Sequence, residues 1–472
     1  MQVFVSAGRR RRGPGRLAAL VVAGLLASSA SGAPGDPDTS FGFQGQLLVD
    51  LGPGSHQARA VGQLPDGRIV VAGDAQGAVL QDYCAVAVLL PDGTLDPGFG
   101  DQGRVLLDFD PGQINLCNDL LVQPDGRIVL AGYRRFGPLG NEGFMVIRLN
   151  SDGSLDNSFS GDGYQNINFQ LMLGARAQAN AVALQPDGKL VVAGFSRIAA
   201  SEHDLAVARL NSNGTLDNSF SGDGLATLGI AAASPSTDQA WSVAIQHDGR
   251  IVLAGESRVD YEASMLVARL TSAGQTDSSF NLTGYRLIKF GLVPQASVRK
   301  GLVLRPDGGL LLGGYVFDGP GFNADFAVAA LLANGQNDPG FGVNGQVIID
   351  LPNGPGSLNA AMDMAVDQAG RMLLGGIGGP TANTDFAAVR LLPTGSPDPS
   401  FGTQGAATIA FDLGPPPHNV DVANAIHLLP DGGILLVGGS AYSASGSDFS
   451  LVKLQGDPGS DPLFVDGFEL PP

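Results

Sequence analysis

Two short patterns recur seven times at matched spacing, and nothing else in the chain constrains its fold as strongly. The first is a Pro-Asp-Gly turn, or a variant of it, followed by a β-branched apolar run that ends in Gly. Its turn glycines are Gly67, Gly126, Gly188, Gly249, Gly308, Gly370 and Gly432, separated by 59, 62, 61, 59, 62 and 62 residues. The second is Asp-x-x-Phe-x-x-x-Gly. It occurs at Asp38/Phe41/Gly45, Asp96/Phe99/Gly103, Asp156/Phe159/Gly163, Asp217/Phe220/Gly224, Asp277/Phe280/Gly284, Asp338/Phe341/Gly345 and Asp398/Phe401/Gly405. A period of that size marks repeated supersecondary units, each of which buries its apolar faces against its neighbours.

Each unit offers four strands. In the second, strand a is read over Arg104 to Phe109, b over Leu116 to Gln123, c over Arg127 to Gly132 and d over Phe144 to Leu149. The Pro-Asp-Gly link between b and c is a hairpin signal. Strands c and d are nearly continuous in apolar residues, as in Ile69-Val70-Val71-Ala72, so neither face meets water. The expected fold is all-β: a seven-bladed β-propeller with four antiparallel strands per blade and repeats of about 60 residues. A linear stack needs polar caps at both ends, and the first and last units have none. Complete a–d sets between Gln46 and Leu454 lead to the expectation that the ring closes by packing the first blade on the last.

Composition narrows the class. With 44% hydrophobic residues the chain is not disordered, despite 69 Gly and 30 Pro. A net charge of −18 argues against nucleic acid and anionic membranes as partners. The acidity is 40 Asp against 5 Glu, which is turn chemistry, because a short carboxylate hydrogen-bonds to nearby backbone N–H groups. Arg9, Arg10, Arg11, Arg12 and Arg16, an apolar stretch from Leu17 to Ala27 and small residues to Ala33 read as a signal peptide. Cleavage after Ala30 or Ala33 predicts an extracytoplasmic protein (periplasm, cell surface or secreted), a monomer without membrane insertion. The domain reading is therefore 1–33 leader, 34–455 propeller and 456–472 a flexible tail.

The LDPSFG-type loops, as in Leu95-Asp96-Pro97-Gly98-Phe99-Gly100, paired with PDGRIVVAG-type hairpins, resemble the delta-60 repeat family of bacterial β-propeller-like proteins. The resemblance covers residues 36 to about 454. It implies an exported repeat protein of undefined biochemical role and brings no catalytic residues with it. The Phe464 to Leu470 ending resembles the short tail of some exported bacterial proteins.

Repetition sorts the remaining candidates. The recurrent Asp reads as a turn cap and the recurrent Phe as a plug between blades. Arg148, Arg209, Arg269, Arg390 and Lys453 share one position in strand d, where a buried cation needs a partner such as the repeat Asp. No cofactor is expected. Calcium is the one ion the pattern leaves open, at oxygen-rich segments such as Asn150 to Asp156, although none matches a calcium-loop motif. Cys84 and Cys117 fall at core positions of neighbouring blades. They read either as a disulfide in an oxidising compartment or as two free buried thiols.

The a–b and c–d loops emerge on one face and vary, whereas the other face carries the repeated turns. Binding residues concentrate on variable loops over a rigid scaffold. The candidate binding face is therefore built from the c–d loops of units two to four: Tyr133, Arg134, Arg135, Arg197, Glu202, His203, Glu256, Arg258, Tyr261 and Glu262. Glu202, His203 and Asp204 form the one local acid–base cluster. The reading is a non-catalytic exported scaffold for a protein, glycan or surface partner. The alternatives are a hydrolase or lyase acting on an extracellular polymer, and a calcium-stabilised structural protein.

Overall fold

In a computed structural model the chain is built from strands and turns. The structure describes residues 32–457, apart from 78–81, 110–113, 137–139, 170–175, 200–201, 231–235, 260–261, 292–294, 318–322, 352–356, 382, 412–419 and 444–445, together with 464–465 and 468–469. The leader reading and Tyr261 fall outside the described residues. Among the described residues no helix is long and apolar enough to cross a membrane.

Strand β1 (Gln46–Val49) is followed by the antiparallel sheet β2 (His56–Gln63), β3 (Ile69–Gln76), β4 (Asp82–Leu89) and β5 (Arg104–Leu107). The next sheet is β6 (Asn115–Val122), β7 (Ile128–Phe136), β8 (Asn141–Leu149) and β9 (Tyr164–Ile167). An eight-stranded sheet then joins two sets of four. One is β10 (Ala177–Leu184), β11 (Leu190–Ala199), β12 (Glu202–Leu210) and β13 (Leu225–Leu228). The other is β14 (Ser236–Ile245), β15 (Ile251–Val259), β16 (Glu262–Leu270) and β17 (Tyr285–Ile288). The two sets meet through one parallel pair, His203 with Thr237.

Two further four-stranded sheets follow. They are β18 (Gln295–Leu304), β19 (Leu310–Phe317), β20 (Ala324–Leu331) and β21 (Gln346–Ile349), then β22 (Ala360–Val366), β23 (Met372–Gly378), β24 (Asp385–Leu391) and β25 (Ala406–Ile409). The last sheet holds β26 (Asp421–Leu428), β27 (Ile434–Ser443), β28 (Gly446–Leu454) and β1. A two-stranded hairpin pairs β29 (Phe464–Val465) with β30 (Phe468–Glu469).

The grouping of strands differs from the sequence reading in one respect. Strand a does not pair with the strand b that follows it; it pairs with strand d of the preceding unit, as β5 does with β4. The Asp-x-x-Phe loop is the cause. Asp96 N bonds Val88 O and Val88 N bonds Gly103 O, so the loop folds the chain back antiparallel onto the strand just completed. The offset leaves β1 without a preceding strand d, and it completes the last sheet instead, from Gln46↔Val452 to Val49↔Phe449. Closure thus joins N- and C-terminal strands in one sheet, which corrects the expectation of closure by packing alone. Asp38 N on Lys453 O and Lys453 N on Gly45 O extend this join.

Apolar clusters fill the junctions between successive sheets. One holds Val70, Val86 and Phe99 with Leu130 and Ile147, and the next holds Val129, Val146 and Phe159 with Val192 and Ala206. The junction of the last sheet with the first, Val437, Phe449 and Leu451 against Val71 and Ala87, closes the ring. The disulfide Cys84–Cys117 crosses from β4 to β6, with Cα atoms 5.1 Å apart.

The recurrent Asp and Phe form the latch at each junction. Asp217 Oδ1 accepts Ser219 N at 3.0 Å and Ser219 Oγ at 2.7 Å, and its Oδ2 accepts Arg209 Nε at 2.7 Å. Arg209 lies over the Phe220 ring, 4.8 Å from its centroid, and donates to Ser272 O of the neighbouring unit. The same set recurs at Arg148/Asp156/Phe159, Arg269/Asp277/Phe280 and Arg390/Asp398/Phe401. Lys453 takes the role for Asp38. Where strand d carries Val88 or Ala330 instead, an arginine from the b–c turn substitutes: Arg68 reaches Asp96 and Arg305 reaches Asp338, both at 2.7 Å. Buried charges are thereby paired.

Candidate functional site

The first strands of the four-stranded sets, β2, β6, β10, β14, β18, β22 and β26, jointly line one cavity of about 160 Å³ on the axis of the ring. Each of these strands carries a β-bulge against its neighbour. Among the described residues the bulge is one residue in six of them, at Arg59, Asn118, Asn180, Trp241, Met362 and Asn424. In β18 it is two, Arg299 and Lys300. The bulges explain the glycine that every strand c carries opposite them. A Cβ on Gly132 would overlap the carbonyl of Leu116 opposite it, and Gly194 meets Gln178 in the same way.

The bulges stitch the inner strands together. Asn118 Nδ2 donates to Ala179 O (2.9 Å), Asn180 Nδ2 to Ala240 O (2.9 Å) and Asn424 Nδ2 to Ala58 O (2.8 Å). The residues that follow the bulges are Ala60, Asp119, Ala181, Ser242, Gly301, Asp363 and Ala425, mostly small, and they leave the axial space open. Lys300 crosses that space. Its ammonium donates to Arg59 O (3.0 Å), Asn118 O (2.6 Å) and Asp119 Oδ1 (2.7 Å), tying β18 to β2 and β6. Arg299 lies on Trp241, 4.3 Å from the ring centroid.

Two titratable groups in this cavity are displaced from their ordinary ranges. Burial raises the Asp363 carboxyl to about 6, against the lowering pull of N–H bonds from Ile426 and Met364 and of the Lys300 charge. Asp363 stays partly accessible, with its carboxyl lining the cavity. Burial lowers the His427 imidazole to about 4, so it is neutral at physiological pH. The cavity extends from the bulges toward the Pro-Asp-Gly turns, with walls from Leu120, Val182, Val243, Val303 and Ile426.

None of the residues singled out from the c–d loops lines this cavity. Nor do they lie in loops. Strands c and d keep pairing past the glycine, so Tyr133, Arg134 and Arg135 belong to β7, Arg197 to β11, Glu202 and His203 to β12, Glu256 and Arg258 to β15 and Glu262 to β16. Alternation on β12 then separates His203 from Glu202 and Asp204, which point to the opposite face, and the local acid–base cluster dissolves. What forms instead is a polar network across sheets. Buried Glu142 accepts Arg135 Nη2 (2.7 Å) and Gln178 Nε2 (2.9 Å), with Arg176 Nε at 3.7 Å.

The network continues into the next set of strands. His203 stacks on Phe195 at 4.6 Å and meets Gln239 Nε2 at 3.5 Å. Burial, with the nearby Arg197 and Arg176 charges, lowers its imidazole. Arg258 pairs with Glu256 (3.1 Å) and Lys289 with Glu262 (2.9 Å). Burial, and next the Glu142 charge, push the Tyr133 phenol up to about 12. Among the described residues no group of three or more His, Cys, Asp or Glu is placed to hold a metal ion.

Sequence reasoning passed over the axial residues, although a signal was present. Counting eight residues back from each turn glycine gives Arg59, Asn118, Asn180, Trp241, Lys300, Met362 and Asn424, a mainly polar column inside apolar strands.

Comparison with known proteins agrees with this architecture. Residues 64–99, 123–159, 185–220, 246–280 and 370–401 match the family model described as a domain of unknown function (DUF5122) β-propeller. No curated protein matches the chain. Similar solved structures include a protein of unknown function from Dyadobacter fermentans, 13% identical, covering 87% of this chain and 98% of that one with a TM-score of 0.45. A catalytically inactive virginiamycin B lyase from Staphylococcus aureus with quinupristin is 9% identical, covering 86% and 98% with a TM-score of 0.45. A polysaccharide lyase is 10% identical, covering 87% and 91% with a TM-score of 0.49. Likeness at this level transfers no activity. Four of the five matched segments run from the end of strand b to the phenylalanine of the Asp-x-x-Phe loop and the fifth from the turn glycine to that phenylalanine, and the chain therefore carries β-propeller repeats.

Proposed function

We propose that the chain is an exported, closed seven-bladed propeller of the delta-60 kind that acts as a non-catalytic scaffold, binding a protein, glycan or surface partner through its a–b/c–d face. The eight-stranded sheet counts as two blades, since a single residue pair joins its halves. One observation carries the functional reading: polar side chains on that face join three successive sets of strands. Glu142 on β8 is bonded to Gln178 on β10, and His203 on β12 to Gln239 on β14. Polar side chains paired across neighbouring sets of strands, with exposed Arg176 and Arg258 beside them, suit recognition of a polar partner.

The polymer-cleaving alternative has the carboxylates Asp119 and Asp363 in its favour, since both line one cavity and one is displaced to about 6. Both are engaged by backbone N–H groups, and about 160 Å³ holds no polymer. The scaffold reading is tested with Arg176→Ala/Arg258→Ala on a glycan array and in capture from the native secreted fraction. A partner bound by the wild type should be lost at least tenfold with melting temperature unchanged. Full retention of every captured partner would refute the assignment of the face.

A further inference from the structure

The axial cavity contains two copies of one niche, and a cation of this chain reaches only one. Asp119 and Asp363 stand at the same repeat position, seven residues before the turn glycines Gly126 and Gly370 and directly after the bulge. In both, Oδ2 accepts a backbone N–H from the next inner strand, 63 residues further on: Val182 N at 2.9 Å and Ile426 N at 3.0 Å. Their other oxygens differ. Asp119 Oδ1 takes the Lys300 ammonium, whereas Asp363 Oδ1 takes the N–H of adjacent Met364 at 2.8 Å. Among the described residues no side-chain cation pairs with Asp363.

The charge count follows from this difference. Facing Asp363 are Lys300 on β18, Asp119 on β6 and the neutral His427 on β26. Lys300 is committed to Asp119, so one negative charge in the cavity stays unmatched near neutral pH. The lining mixes polar groups with aliphatic side chains such as Val243, Val303 and Ile426, and among the described residues no group of three or more His, Cys, Asp or Glu is placed to hold a metal ion, which disfavours a hard metal ion. An alkylammonium brings the head group that Lys300 already places in the twin niche, plus a short tail suited to the aliphatic side chains among the lining. A cavity near 150 Å³ accommodates a molecule of about six heavy atoms.

We propose that Asp363 binds the ammonium group of a small primary amine, whose alkyl tail lies against Val243, Val303 and Ile426. This inference is independent of the loop-face reading, because the cavity extends toward the opposite face.

The test uses the full mature protein with n-butylammonium chloride, against sodium chloride at equal ionic strength, by calorimetry and thermal melting. The wild type should bind one amine per chain, with affinity falling about tenfold per pH unit below about 6 as the proton competes for Asp363. Asp363→Asn should weaken binding at least tenfold. Lys300→Met removes the ammonium that faces both carboxylates, and the affinity for the single bound amine should rise at least threefold. No wild-type binding up to about 100 mM amine would overturn the proposal. So would binding indifferent to pH between 7 and 5, or a folded Lys300→Met protein whose affinity for the amine does not rise. If Asp363→Asn fails to fold, the wild-type pH profile and the Lys300→Met affinity still decide.

Discussion

The latch at Arg209 and Asp217 can be rebuilt by rules the chain already uses. Both side chains are buried, and Lys189 of the b–c turn stands 3.4 Å from the same carboxylate. Although burial works to raise it, hydrogen bonds from Ser219 and the Arg209 charge hold the Asp217 carboxyl down to about 2. Arg209→Val removes the charge-assisted bond and the guanidinium over Phe220. It leaves the carboxylate with Ser219 and with Lys189 at 3.4 Å. Breaking a buried pair costs about 3–5 kcal/mol, and the remaining Lys189 places the expected loss near the low end, about 3 kcal/mol. The sheet of β2–β5 is the natural version of the repair, for there Val88 occupies the Arg209 position and Arg68, in the place of Lys189, reaches Asp96 at 2.7 Å. Arg209→Val/Lys189→Arg should therefore recover about 2 kcal/mol, whereas Lys189→Arg alone should change stability by less than about 0.5 kcal/mol. Urea unfolding followed by the fluorescence of Trp241, the one tryptophan in the chain, reads the midpoint and slope of each variant. Additive effects of the two substitutions, or an Arg209→Val protein within about 0.5 kcal/mol of wild type, would refute the latch as a transferable charge pair.

Removing residues up to Gly45 together with β1 takes away the fourth strand of the last sheet and should abolish cooperative melting, while removal of residues 1–31 alone should leave it; equal melting of the two proteins would contradict closure by β1. The Cys84–Cys117 bond closes a span of 33 residues, so its reduction should cost about 4 kcal/mol on the chain-entropy model, seen as a fall in melting temperature with reductant; an unchanged melt would count against it. Gly132→Ala, which drives a methyl into the Leu116 carbonyl at the bulge, should destabilise by more than about 3 kcal/mol, and a tolerated substitution would deny the bulge its role. His427, lowered to about 4, contributes stability above pH 6.5 that is lost as pH falls toward 4, roughly 2 kcal/mol by pH 5. Asp363, raised to about 6, works the other way and gains roughly 1.4 kcal/mol over the same descent. His427→Leu should thus make the protein more stable at pH 5 than at pH 7.5, and a pH profile parallel to wild type would refute that.

The repeat legible in the sequence was the covalent one, and the sheet is offset from it by a strand. A cyclic pattern has no natural starting point, so a-b-c-d and b-c-d-a describe the seven-fold periodicity equally well. The Asp-x-x-Phe loop decides between them, through hydrogen bonds such as Asp96 N to Val88 O that no spacing announces. The partners of the strand-d cations were within reach of burial arguments, and Arg148, Arg209, Arg269, Arg390 and Lys453 do meet the repeat Asp. The substitute arginines Arg68 and Arg305 were not, because they come from another segment of the unit. The c–d residues read as loop because polarity was taken to end the strand. Yet Tyr133 to Phe136 and Glu202 to His203 keep their backbone pairing while their side chains turn polar toward the open face.

The two kinds of column in the repeat carry different physical demands, and that difference separates scaffold from site. At the latch, a buried carboxylate must be matched in every junction, so the Asp recurs seven times and even its partner is replaced rather than lost. On the axis, seven equivalent positions converge on one space, and identical residues there would work against each other: seven aspartates could not all stay charged, and seven large side chains could not fit. The axial column is therefore forced to be heterogeneous, with small residues at Ala60, Ala181, Ser242 and Ala425 leaving room for Lys300. Heterogeneity on the axis is a packing requirement first, and it does not by itself argue for a ligand. The argument for one comes from the residual symmetry. Asp119 and Asp363 repeat the same geometry to a neighbouring strand, only Asp119 receives an ammonium, and the unmatched charge of its twin is left to a proton or to a molecule from outside.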